Sequence, residues 1–305
     1  MLRILLAICS FWAVAIPNSL AAPRPMSPVD FVEMPRLSAG VLSPDGRMLA
    51  YLRSETDWQA NQHIQRLQLI HVETGEKLPV PAPHADDDPT TRVWWAPDSS
   101  GFIYLRKPDG GEKRQAHFFE LATQETTQWT AHGESLTGIY WRPDGSGFYF
   151  TSAQQQPASD SRLLASGWII PPFEADANRE IWSFDLATGT ATPIVQGPYS
   201  VRQVWLSRDG ETLLHSRVPT HQLDVLHFGE VIASDAAGND MRRFTQNVHG
   251  EIRPQLSPDG SRLAYIATVN ARGEPFYEPK VFVQPLGDTP QRLLANQAME
   301  ALDFV

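Results

Sequence analysis

The sequence has a single cysteine, Cys9, inside an N-terminal apolar run. A disulfide framework is therefore excluded, and whatever folds must be held by packing alone. There is also no run of basic residues. The 25 Lys and Arg are scattered among 35 Asp and Glu, for a net charge of -10. Without a basic stripe there is no footprint for nucleic acid. No apolar stretch beyond residue 16 is long enough to cross a bilayer. No long stretch carries helical periodicity either.

What the N-terminus does carry reads as a secretory signal peptide over residues 1–21. Arg3 supplies a positive start, Ile4 to Ile16 is apolar apart from Ser10, and Pro17-Asn18 breaks the run. Ser19-Leu20-Ala21 then places small residues at the outer positions of a cleavage site. At 13 residues, the apolar core is too short to span a membrane. Cys9 lies inside it behind the bulky Ile8, so it is not a lipid-attachment site. The expectation is export to the periplasm or the medium. Cleavage after Ala21 removes the cysteine and Arg3, leaving 24 basic against 35 acidic residues, about -11. Pro23-Arg24-Pro25 and Pro28 read as an extended linker, within a linker and lead-in strand over 22–37.

One phrase then recurs five times: Leu42-Ser43-Pro44-Asp45-Gly46, Trp95-Ala96-Pro97-Asp98-Ser99, Trp141-Arg142-Pro143-Asp144-Gly145, Leu206-Ser207-Arg208-Asp209-Gly210 and Leu256-Ser257-Pro258-Asp259-Gly260. The aspartates are 53, 46, 65 and 50 residues apart. Pro presets φ for a type I turn, Asp bonds nearby backbone N–H groups, and Gly accepts the left-handed conformation that follows. Ser99 and Arg208 depart from the pattern. A large apolar residue precedes each Asp by three and another follows it by four; position six holds Tyr51, Tyr104, Phe150, His215 or Tyr265. The turn thus joins two apolar runs, the second apolar on both faces, which describes a hairpin whose second strand is doubly buried.

Each unit has a second hairpin. Strand-like runs (Leu67 to Val72, His117 to Leu121, Ile181 to Leu186, Val231 to Ser234, Val281 to Gln284) lead through short turns to closing strands such as Lys77 to Val80 and Arg242 to Thr245. Four antiparallel strands per unit at this period predict an all-β fold, a β-propeller of about five blades plus the start of a sixth. A sandwich would not repeat one turn five times, and a β-helix has shorter coils. The propeller is expected over 38–305, with blades at about 38–85, 90–131, 136–197, 200–247 and 250–295 and a partial blade at 298–305. Large indole rings are expected to fill the gaps between blades. The third unit is about 15 residues longer than its neighbours, through an insertion between Ala153 and Asn178. Met299 to Val305 resembles the strand before a sixth turn, which reads as an incomplete ring.

No residue is assigned to catalysis, to a cofactor or to a metal. Gly133-Glu134-Ser135-Leu136-Thr137 lacks the final glycine of a nucleophile elbow and any helix after it. No phosphate-binding glycine loop and no His-Glu-x-x-His pair is present. His84-Ala85-Asp86-Asp87-Asp88 has metal-like residue types, but its spacing matches no binding loop and it reads as a solvated acidic turn. The turn aspartates read as backbone caps, His215 as a core histidine in an aromatic position, and Gly273 to Glu278 as a rim loop.

The phrase Ser-Pro-Asp-Gly-x-x-x-Ala-Tyr, at Ser43 to Tyr51 and Ser257 to Tyr265, resembles the propeller repeats of prolyl-oligopeptidase-family serine peptidases and of TolB and its relatives. The start Asp30 to Ser38, close behind the signal peptide, resembles the dipeptidyl-peptidase-like group, since TolB-like proteins place an α/β domain first. That resemblance implies a substrate-gating or docking propeller whose partner is an α/β-hydrolase domain missing from these residues, or peptide substrate. Nothing here matches the hydrolase, so no catalytic residue is carried over. The alternative is a periplasmic TolB-like interaction propeller with envelope-protein partners. A third reading is a propeller enzyme with a metal in its channel.

Overall fold

The computed structural model describes residues 24–80, 92–154, 178–219, 229–244 and, beyond them, 251–257, 259, 261–268, 279–285 and 291–292. They form five four-stranded antiparallel sheets, each taking its strands in chain order from one edge to the other. Sheet one is β1 (Arg36–Leu42), β2 (Met48–Asp57), β3 (Gln62–His71) and β4 (Lys77–Leu78). Sheet two is β5 (Val93–Trp95), β6 (Gly101–Arg106), β7 (Gln115–Glu120) and β8 (Thr126–Gln128). Sheet three is β9 (Leu136–Trp141), β10 (Gly147–Ala153), β11 (Arg179–Asp185) and β12 (Thr190–Val195). Sheet four is β13 (Ser200–Leu206), β14 (Thr212–Val218), β15 (Glu230–Asp235) and β16 (Arg242–Arg243). Sheet five is β17 (Glu251–Leu256), β18 (Arg262–Thr268), β19 (Pro279–Pro285) and β20 (Gln291–Arg292). The first strands β5, β9 and β13 of consecutive sheets approach one another. The sheets thus converge on their first strands and fan outward, which is the propeller arrangement.

The repeated turn forms as its residues dictate. An N–H···O bond closes each turn over three residues, from Gly46 to Ser43, Ser99 to Ala96, Gly145 to Arg142 and Gly210 to Ser207. The residue after the Asp is left-handed in all four, at φ 72° for Gly46, 62° for Ser99, 71° for Gly145 and 75° for Gly210. Each repeat Asp accepts, through Oδ1, the backbone N–H two residues on: Arg47 to Asp45, Ser100 to Asp98, Ser146 to Asp144, Glu211 to Asp209 and Ser261 to Asp259. Where the unit has Ser before Pro or Arg, its hydroxyl donates to that Asp and accepts the N–H of the residue that opens the next strand, at Ser43, Ser207 and Ser257.

Burial lies between the sheets. Leu69, Phe102 and Phe119 anchor the first junction, Ile103, Phe148 and Phe184 the second, Tyr149, Ile181 and Leu213 the third, and Leu214, Leu263 and Tyr265 the fourth. The second strands of sheets two to four are buried on both faces over most of their length. Sheet one differs from that expectation. β2 alternates between buried and half-buried as far as Leu52 and is half-buried beyond it, and β1 is exposed apart from Val41. Among the described residues no sheet covers that side, and Leu37 and Leu42 meet solvent.

Two local readings are corrected. Pro28 does not continue an extended linker; it opens a helix, α1 (Pro28–Glu33). Proline is favoured at that position because its missing N–H has no helical partner anyway. Ser27 and Asp30 close a capping box, and Trp58 Nε1 donates to Glu33 to dock the helix on the first hairpin. The closing strands are also shorter than expected: β4 ends at Leu78 and β16 at Arg243.

Candidate functional site

One set of buried polar groups lies between the second and third sheets. Toward the ends of β9 and β10 away from the Asp144 turn, His132 Nε2 is 3.2 Å from Ser152 Oγ. Glu180 lies close enough to act on His132 electrostatically. A serine, a histidine and an acid in one place demand comparison with a nucleophilic triad. The geometry does not make one. The Glu180 carboxylate accepts from Trp182 Nε1 at 2.6 Å and from Gln196 Nε2 at 2.9 Å, not from the imidazole. Ser152, one residue from the end of β10, is wholly buried, so its hydroxyl does not face solvent. Burial lowers His132 below the usual histidine range, with Glu180 and Glu134 opposing it. The group is a polar seam that satisfies buried atoms between two sheets.

The opposite rim holds a cavity of about 480 Å³ between the Asp98 and Asp144 turns. Its wall is aromatic. Phe118 and Trp129 stack with centroids 4.3 Å apart and planes 8° from parallel, and Trp141 stands edge-on to Trp129 at 5.9 Å and 82°. The carboxylates of Asp98 and Asp144 sit at the mouth, exposed, and among the described residues no Lys or Arg lines it. Backbone and hydroxyl donors, from Ser100 to Asp98 and from Ser146 to Asp144, hold both below the ordinary carboxylate range, so both stay charged. Neither carboxylate was singled out from the sequence as a binding group, because each also caps its turn. The signal available was Phe118: sheets one, three, four and five put Leu69, Ser183, Ala233 and Val283 at its ladder position.

The other residues noted in the sequence are dispersed. His84 to Asp88, Gly273 to Glu278, Cys9 and most of the insertion before Asn178 lie outside the described residues. Ser135 Oγ accepts the Arg114 N–H, and a strand follows it rather than a helix. His215 is fully buried in β14 with neither ring nitrogen hydrogen-bonded. Burial, with Arg217 adding to it, pulls its pKa down to about 4, so it is a neutral core side chain. Among the described residues no three metal-ligating side chains cluster, and no helix is long and apolar enough to cross a membrane.

No family model and no curated protein matches the chain. Solved structures do resemble it. TolB from Acinetobacter baumannii is 15% identical with a TM-score of 0.51, over 82% of this chain and 52% of that one. The acylaminoacyl peptidase of Pyrococcus horikoshii is 14% identical with a TM-score of 0.55, over 83% and 39%. The β-propeller domain of the trilobed protease from Pyrococcus furiosus is 13% identical with a TM-score of 0.54, over 85% and 71%. The chain thus spans about half the length of that TolB and about two fifths of that peptidase. The likeness is one of fold: this is a β-propeller of the kind found in TolB and in the propeller domains of these peptidases.

Proposed function

We propose that this chain is the non-catalytic, substrate-gating propeller of an exported serine peptidase of the prolyl oligopeptidase family, working with an α/β-hydrolase domain that supplies serine, histidine and acid. The observation that carries the reading is the fan of five four-stranded sheets, the fold shared with the propeller domain of the trilobed protease. The repeat phrase and the likeness to peptidase propellers support the same reading. The mechanism is steric: converging sheets exclude bulky substrates and offer polar rims to peptides.

The coding frame beyond Val305 tests it. A continuing frame with a Gly-x-Ser-x-Gly elbow is expected, and a stop codon with no hydrolase encoded nearby would overturn the proposal. The isolated chain is expected to cleave no fluorogenic peptide. Cleavage that disappears in Ser152→Ala would also refute it. A second reading, a TolB-like interaction propeller in the cell envelope, is favoured by the aromatic cavity at the turn rim. Recovery of a stable envelope-protein partner in a pull-down would support it, and absence of any would count against it.

A further inference from the structure

We infer that the cavity between the second and third sheets receives an arginine side chain presented by a peptide or protein partner. The inference is independent of whether the propeller belongs to a peptidase.

The third junction shows what the same space accepts. Arg142 stands two residues before Asp144, as Ala96 stands two before Asp98. Its guanidinium donates to Ser183 Oγ at 2.5 Å and to Ser146 Oγ at 3.3 Å, lies 5.6 Å from the Tyr149 ring centroid and comes within 3.7 Å of Asp185. The protein thus lays its own guanidinium on the face of sheet three that looks toward that junction, between an aromatic ring and a carboxylate.

At the second junction that side chain is missing. Ala96 contributes only a methyl group. Phe118 takes the ladder position of Ser183, and Glu120 that of Asp185. Across the first junction the rim is bridged instead: the Asp45 N–H donates to Ser99 Oγ at 3.1 Å. Gly145, at the position of Ser99, has no hydroxyl to offer, and a Cβ there would meet nothing within 4 Å.

Aromatic walls and two carboxylates from separate turns call for a cation with a flat, apolar face. The guanidinium stacks on rings and forks to carboxylates, whereas an ammonium is a compact, strongly hydrated point charge. The chain's net charge of -10 adds long-range attraction for a basic partner.

The test titrates the chain with acetyl-Gly-Arg-Gly-amide and with its citrulline and lysine counterparts, following tryptophan fluorescence and the indole N–H resonances of Trp129 and Trp141. The arginine peptide is expected to bind saturably, the citrulline peptide at least about tenfold more weakly and the lysine peptide between them. Ala96→Arg, which installs the side chain found at Arg142, is expected to abolish binding while thermal unfolding stays cooperative. Should that variant misfold, Trp129→Ala and the Asp98→Asn/Asp144→Asn pair carry the test, each expected to weaken the arginine peptide about tenfold. The proposal falls if no peptide saturates, if citrulline or lysine binds as tightly as arginine, or if a folded Ala96→Arg or either of the other variants binds like the parent.

Discussion

The indole Nε1 of Trp141 donates to the backbone carbonyl of Trp94 at 3.1 Å, joining the first strands of two neighbouring sheets. Trp95 repeats the arrangement one junction earlier, donating to Val41 at 3.2 Å. In sheets four and five Leu206 and Leu256 hold the same repeat position and carry no donor. Two junctions therefore have a directional bond that the others replace with packing. Trp141→Phe keeps a ring but loses the donor and leaves a carbonyl short of a partner. The expected cost is about 2 kcal/mol, measured by denaturant unfolding.

Ser99 sits left-handed at φ 62° where the Asp45, Asp144 and Asp209 turns have glycine, and its hydroxyl accepts the Asp45 N–H. Ser99→Ala keeps the strained backbone and loses the bond, so a loss of about 1 kcal/mol is expected. Ser99→Gly loses the same bond but releases strain worth about 1 kcal/mol, so it is expected to be the milder change. At Gly145 a Cβ has room, yet Gly145→Ala is expected to cost about 1 kcal/mol through its positive φ alone. Denaturation midpoints of the three variants check the order.

His215 couples stability to mild acid. An unfolded histidine takes a proton near pH 6.5, while the folded one does so only near 4. Between those values the unfolded chain binds more protons, so stability falls as pH drops from about 6.5 to 4 and then levels off, by roughly 3 kcal/mol in all. His215→Phe, which restores the aromatic of Phe150, is expected to remove that part of the loss. It also removes two unbonded buried nitrogens, so it is expected to stabilise at neutral pH as well. His132 shifts in the same direction, so some slope is expected to remain. Unfolding curves of both proteins at several pH values decide the matter.

The turn aspartates act at lower pH. Hydroxyl and backbone donors depress Asp45, Asp98, Asp144, Asp209 and Asp259, the last to about 2. A depressed carboxylate contributes stability that is fully present above its unfolded pKa of about 3.9 and is lost as pH falls through the folded value. Asp259→Asn is therefore expected to flatten the stability profile below about pH 4 and to leave the His215 window unchanged.

What could be read in the residues was local. Pro, Asp and Gly act on backbone within five residues of themselves, and β-strand alternation repeats over a few residues more. Those ranges lie inside one unit, so five recurrences of one phrase sufficed for the hairpins, the four-stranded units and the capping aspartates. The Pro28 helix was missed because a proline that opens a helix and one that stiffens a linker look alike until the capping partners are placed. The exposure of β1 was missed because it depends on whether another sheet covers it.

The sequence by itself determined which stretches become which sheets, because every interaction that decides this closes within one repeat. The tertiary structure alone decided that Ser99 bridges to Asp45, that Ser152 is buried against His132, and that a cavity opens between the Asp98 and Asp144 turns. Those groups meet across sheet boundaries, where the angle and spacing of packed sheets, rather than distance along the chain, set which side chains meet.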